Sequence, residues 1–405
     1  MKTWHRQLHE DLKNLNEAKL LRRCKSLEFQ GRTIRHHDRD LLNLGSNDYL
    51  GLANDPRLKD ASIAAIRQSG TGAGASRLAG GTTVRHNQLE SHFAAFKHAE
   101  AALLCPTGYQ ANLAAITALA RKGDLICQDK LNHASMIDAA RWSGATVRTF
   151  PHKQTAKLAR LLEKHKNQSG SDEPTSRRLI ITDSVFSMDG DCADLPALCE
   201  LADCHDAILI VDEAHGTGVL GEHGIGLCEY QNVEHRVDVI LSTASKALGG
   251  LGGIISSTRS VIETIVNHAN PFIYTTAIPP SQIAAITAAL DIIHDEPWRR
   301  RHLCHLASTV RQQLTECGLI TPSTSSWCDV PTPIIPVITG TPESAITLSG
   351  QLENRGFYAP AIRPPTVGPG MARILGNPEG GSIGYGIRLD TEPRYSVAIT
   401  PNVTL

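Results

Sequence analysis

Six short apolar runs, most of them separated by helix-like stretches, constrain this chain more than any other feature. They are AALLC from Ala101, DLICQD from Asp124, TVRTF from Thr146, RLIITD from Arg178, AILIVDEAH from Ala207 and DVILST from Asp238. Runs of this kind read as strands, and the stretches between most of them, roughly 15 to 25 residues long, read as helices. Strand–helix alternation implies a parallel sheet with right-handed crossovers, the α/β class. In such sheets ligands bind at the carboxyl ends of the strands.

The flanking segments are less regular. Trp4, Leu8, Leu12, Leu15 and Leu21 fall roughly on one helical face, which predicts an amphipathic N-terminal arm packed on something. LLNLGSNDYLGL follows from Leu41, and then Gly70, Gly72, Gly74, Gly80 and Gly81 cluster where backbone must turn sharply or approach a ligand. After FIYTTAIPP from Phe272 one long helical stretch is expected to about Glu316, then a strand IIPVI from Ile334. With 405 residues the chain is long for one domain. The expected division is an N-terminal helical arm over 1–44, a large domain over 45–280, a smaller C-terminal α+β lobe over 281–374, and an irregular tail over 375–405.

Composition excludes several classes. Lys+Arg 40 against Asp+Glu 41 argues against a partner that is nucleic acid. Apolar runs fall below the roughly 18 residues a membrane span needs, and the polar, mixed-charge start is no secretory signal. Ten scattered Cys without a C-x-x-C pair or metal spacing read as reduced thiols, with no metal site, in a cytoplasmic protein.

Three strand ends carry reactive groups. Asp212 and His215 follow one run, Thr243, Ser245 and Lys246 the next, and Ser187 an earlier one. Lys246 lies 34 residues after Asp212, about one β-α-β unit, so both belong to one sheet edge. Taken singly, Asp212 reads as a helix cap, His215 as a turn residue and Lys246 as a surface amine. Together, an amine, a carboxylate and an imidazole suit pyridoxal 5'-phosphate (PLP). A lysine captures its aldehyde, and a carboxylate keeps its ring nitrogen protonated so that the ring withdraws electrons.

Two motifs are decoys. The DEAH string resembles a helicase box, but the sequence has no G-x-x-x-x-G-K-[ST] phosphate loop. Gly216–Gly221 matches G-x-G-x-x-G, yet the glycine-rich stretch after it is unsuited to the helix a dinucleotide fold requires. Asp238 also begins the next strand instead of ending it.

VDEAHGTGVLGEHG, STASKALGG, VFSMDGD, LGSNDYLGL, GAGASRLAGGTTVRHNQLE, NHASMIDAA and FIYTTAIPP together resemble the α-oxoamine synthases. These are fold-type I PLP-dependent transferases that condense an amino acid with an acyl-CoA and release CO2. The likeness runs in order from about residue 20 to about residue 374. AIRPPTV from Ala361 is most similar to members of the biotin pathway that join L-alanine to a pimeloyl thioester.

The resemblance implies roles by position. Lys246 would be the Schiff-base lysine and the base for the α-proton. Asp212 would pair with the ring nitrogen, His215 and Ser187 with the ring hydroxyl, and His133 would stack on the ring and serve as a candidate proton donor. Gly108, Tyr109 and Thr243, with Ser245 nearby, would meet the phosphate. Tyr274, Thr275 and Thr276 resemble the stretch that crosses a homodimer interface to the partner's phosphate. Arg22, Asn47, Arg363 and Thr366 fall at substrate-facing positions.

The pattern breaks near the end. The family continues as Pro-x-Gly-x-x-Arg-x-Arg, its second arginine holding the amino-acid carboxylate. Here Arg373 takes the first position and Leu375 the second, and the tail then diverges, with Arg388 in GIRLDT a further candidate. Two alternatives follow: condensation of glycine with acetyl-CoA to 2-amino-3-oxobutyrate, or a family member with impaired or no catalysis.

Overall fold

A computed structural model of the chain describes residues 2–166, 176–321 and 332–377, together with the short strands Ile387–Leu389 and Val397–Ile399. Most of the tail over 375–405 therefore lies outside the described residues.

The centre is a seven-stranded sheet. Its order is Ala101–Cys105, Gly253–Ser257, Val239–Thr243, Ala207–Asp212, Arg178–Asp183, Leu125–Asp129 and Thr146–Phe150. All six expected strands are present. The seventh, Gly253–Ser257, was not expected, and it runs antiparallel to both of its neighbours, so the sheet is mixed. The five strands from Val239–Thr243 to Thr146–Phe150 pair in parallel with one another.

The apolar runs build two cores because side chains alternate across a strand. Cys127, Ile180, Leu209, Val211 and Ile240 point to one face. Ile126, Leu179, Ile181, Ile210 and Leu241 point to the other. Helices cover both faces, and full burial of each such side chain contributes roughly 1.5–3 kcal/mol.

Three regions differ from their expectation. The single long helix after residue 280 is two, Pro280–Asp295 and Trp298–Glu316, divided at Pro297, which has no N–H to continue a helical ladder. Residues 28–43, grouped with the helical arm, form three antiparallel strands, and Phe357–Tyr358 pairs in parallel with Arg39–Asn43. This stretch thus joins the C-terminal part of the chain. The arm itself is helical over Thr3–Glu17, but none of its residues is buried, and Trp4, Leu8 and Leu12 are each 52% exposed.

The C-terminal lobe holds Ile335–Gly340, Ala372–Gly376 and Ala361–Ile362 in one antiparallel sheet, beside the helix Pro342–Asn354. After Asp212 the chain turns through a glycine-rich loop to a helix of only four residues, Leu227–Tyr230, so no dinucleotide-type helix follows that strand. No described helix is long and apolar enough to cross a membrane.

Candidate active site

The strands Arg178–Asp183 and Ala207–Asp212 run in register, so Asp183 and Asp212 sit side by side where the strands end. Lys246 follows the next strand, Val239–Thr243. His133 ends the loop after Leu125–Asp129 and caps the helix Ala134–Trp142. These strand ends, with the start of the helix Gly108–Leu119, enclose a cavity of about 260 Å³. Lys246, Asp212, His215, His133, Thr243, Ser245, Gly108 and Tyr109 all line it.

Asp212 is fixed on both oxygens. Oδ2 accepts from Asn112 Nδ2 at 2.7 Å, and Oδ1 accepts from the Ala214 amide at 2.8 Å. His215 Nδ1 shares a 2.7 Å hydrogen bond with the buried Tyr49 hydroxyl. Burial, with the charge of Lys246 beside it, holds His215 well below the ordinary imidazole range. The Lys246 carbonyl accepts from the Gly249 amide at 2.9 Å, but its side-chain amine makes no hydrogen bond or ion pair among the described residues. Burial lowers its pKa, while the charges of Asp212 and Asp183 oppose the shift. Asp183 is raised well above the carboxylate range by burial and by the neighbouring Asp212.

The far end of the cavity is a helix N-terminus. Thr107 caps Gly108–Leu119 by accepting from the Gln110 amide at 3.1 Å. The Gly108 and Tyr109 amides are among those with no intrahelical acceptor, which suits an anion. Glycine at 108 keeps this end uncrowded, since a Cβ there would lie 3.2 Å from Thr243 Oγ1. Thr243 and Ser245 exchange a 2.8 Å hydroxyl hydrogen bond beside it. The fit to PLP is therefore good: an unengaged amine, a fixed carboxylate, and hydroxyls with free amides at the opposite end. No group of three or more His, Cys, Asp or Glu suited to a metal occurs among the described residues.

Other expected site residues lie outside this lining. Ser187 sits in the turn closed by the Phe186 amide to the Asp191 carbonyl. Thr275 accepts from Gln110 Nε2 at 2.9 Å, and Thr276 bridges to Ser76. Arg22 donates to Thr366 Oγ1 at 2.9 Å and Arg363 to the Lys19 carbonyl at 2.5 Å, so these three form their own cluster on the C-terminal lobe. Asn47 is linked to the cavity through Tyr49, whose hydroxyl donates to Asn47 Oδ1 at 3.3 Å and is bonded to the cavity-lining His215. Arg373 is buried and committed, donating to Asp189 Oδ1 and the Met188 carbonyl, each at 2.8 Å. Leu375 is packed in the core.

Asn112, Ser135, Asp183 and Tyr49 were not singled out from the sequence. Asp183 ends its run as Asp212 does, and the same strand-end rule applied to RLIITD finds it. Ser135 stands in the quoted NHAS string. Tyr49 likewise stands in the quoted LGSNDYLGL string, whereas for Asn112 the sequence carries no comparable signal.

The aminotransferase class I and II family model matches residues 39–377. An 8-amino-7-oxononanoate synthase of Geobacter sulfurreducens is 41% identical over 372 residues, covering 91% of this chain and 92% of the relative. Among solved structures, a serine palmitoyltransferase determined with PLP superposes with a TM-score of 0.84 at 26% identity, covering 93% of both chains. An 8-amino-7-oxononanoate synthase from Francisella tularensis gives a TM-score of 0.71 at 26% identity, covering 85% of this chain and 93% of that one.

Proposed function

This chain belongs to the aminotransferase class I and II family, among its α-oxoamine synthases, and from that premise we propose that it is a PLP-dependent acyltransferase of biotin biosynthesis. It condenses L-alanine with a pimeloyl thioester, on CoA or a carrier protein, and yields 8-amino-7-oxononanoate, the free thiol and CO2. The observation that carries this reading is the Lys246 amine, which lines the cavity beside the fixed carboxylate of Asp212 with no partner among the described residues.

Bound PLP supplies an aldehyde for amine capture and a ring that withdraws electrons from the attached carbon. Lys246 would hold that aldehyde at rest and be freed when the amine of alanine takes its place. The freed amine would be the base that takes the alanine α-proton and returns a proton after CO2 leaves, and burial, by lowering its pKa, favours the neutral form a base needs. Asp212, held in place by Asn112 and the Ala214 amide, would keep a proton on the ring nitrogen. His133 would cover the ring, and His215 would meet its hydroxyl. The Gly108–Leu119 N-terminus, Thr243 and Ser245 would receive the phosphate.

Tyr274 is 81% exposed and Val84 71%, which supports a homodimer in which Thr275 and Thr276 serve the partner's site. Arg22, Arg363 and Thr366 orient the substrate acid. The charge balance and cysteine pattern support a cytoplasmic protein. Incubation with PLP, L-alanine and pimeloyl-CoA tests the reaction: the expected result is one CO2 per 8-amino-7-oxononanoate, identified by mass. Turnover of glycine and acetyl-CoA alone would overturn the choice of substrates.

One observation favours a second reading, a member with weakened amino-acid binding. Leu375 is buried where the family places its carboxylate-binding arginine, and Arg373 is engaged with Asp189. In that case PLP absorbance would develop but fail to shift with alanine.

A further inference from the structure

His133 is the N-cap of the helix Ala134–Trp142, an unusual place for an imidazole. Its Nδ1 accepts the Ser135 amide at 3.3 Å. A backbone N–H can only donate, so Nδ1 carries a lone pair and the ring proton belongs to Nε2. The Ser135 hydroxyl lies 2.7 Å from the same Nδ1 and must therefore donate to it. The hydroxyl oxygen in turn accepts from Asn112 Nδ2 at 3.0 Å. The same amide donates to Asp212 Oδ2 at 2.7 Å, with the Gly108 carbonyl a longer contact at 3.4 Å. Asn112 cannot be turned over, because its carbonyl oxygen would then face the Asp212 carboxylate. Ser135 and Asn112 are buried, so water does not compete for these bonds.

We propose that Asn112 and Ser135 are positioning residues that lock His133 as a neutral imidazole protonated on Nε2. The inference rests on the proposed function for its mechanistic meaning. Its consequence is that His133 acts as a fixed N–H donor and a ring cover, and not as an imidazolium that gives up its proton. Protonation would break the cap and place a cation at a helix N-terminus, where the dipole opposes it. The charged and titratable groups around the ring are Asp212, Asp138, Asp183, Lys246, His215 and Tyr109. Burial lowers the pKa of His133, and Lys246 adds to this against Asp212 and Asp138.

The test is nitrogen-15 NMR of histidine-labelled protein saturated with PLP, without acyl donor, from pH 5 to 9. His133 is assigned by the signals lost in His133→Gln. The expected wild-type result is a protonated Nε2 and a bare Nδ1 at pH 7. Ser135→Ala should raise the His133 protonation midpoint by about one pH unit, a tenfold change, and Ser135→Thr should restore it. A proton on Nδ1, a charged ring at pH 7, or an unchanged midpoint in Ser135→Ala would overturn the lock. The wild-type measurement stands even if a variant fails to fold. Absence of synthase turnover would remove the proposed function and leave the tautomer result intact, and the converse also holds.

Discussion

The carboxyl end of the central sheet and the C-terminal lobe differ in how their polar residues are held. At the sheet end, Asp212, Asn112, Ser135 and His133 bond to one another through direct side-chain contacts along one cavity, and the Lys246 amine lines the same cavity without a partner among the described residues. In the lobe, Arg22, Arg363 and Arg373 are spent largely on backbone carbonyls, of Pro364, Lys19 and Met188. The first arrangement prepares chemistry on a bound group, and the second holds its arginines, including the proposed acid-orienting Arg22 and Arg363, against neighbouring segments. Catalytic power should therefore depend on the sheet end, while the lobe should govern assembly of the site and substrate affinity.

The sharpest way to break that comparison is Lys246→Ala. It should reduce turnover of alanine and pimeloyl-CoA by at least ~10³-fold with the melting temperature nearly unchanged; a rate within tenfold of wild type would contradict the assignment. Asp212→Asn comes next, with a loss of roughly 10²-fold or more in kcat, checked against unchanged secondary structure by circular dichroism. In the lobe, Arg373→Ala should act on stability first. It removes the contacts to Asp189 and the turn before it, and about 2 kcal/mol should be lost in a urea titration. The corresponding change in kcat should be smaller than for either sheet-end variant.

The smallest expected effect concerns the link between the regions. His152 lies 3.0 Å from both Asp129, which begins the loop leading to His133, and Asp191, in the turn that Arg373 braces. Burial works against its charge, but the hydrogen bonds to the two carboxylates outweigh it and push His152 up to about 9. The folded pKa is above the unfolded one of roughly 6.5, so this stability is complete below that pH and lost as pH rises toward 9. The melting temperature should decline over that window in wild type and decline less in His152→Gln, followed by differential scanning calorimetry.

The sequence made the sheet end legible because its strands are apolar throughout and their ends carry distinct chemistry. Gly253–Ser257 escaped notice because a glycine-rich approach and two terminal serines blur its period. Asn112 and Tyr49 act across 100 and 166 residues, on Asp212 and His215, and separations of that size leave no local pattern. The arm and the strands over 28–43 were merged because their true neighbour, Phe357–Tyr358, is over 300 residues away. Pro297 was visible, yet the helical period on both sides concealed the break.

The central claim is that Lys246 holds PLP in the cavity at the sheet end. Borohydride reduction of the PLP-treated protein, followed by proteolysis and mass spectrometry, tests it directly. The account predicts a single phosphopyridoxyl adduct, on the peptide containing Lys246. An adduct on another lysine, or none, would contradict it.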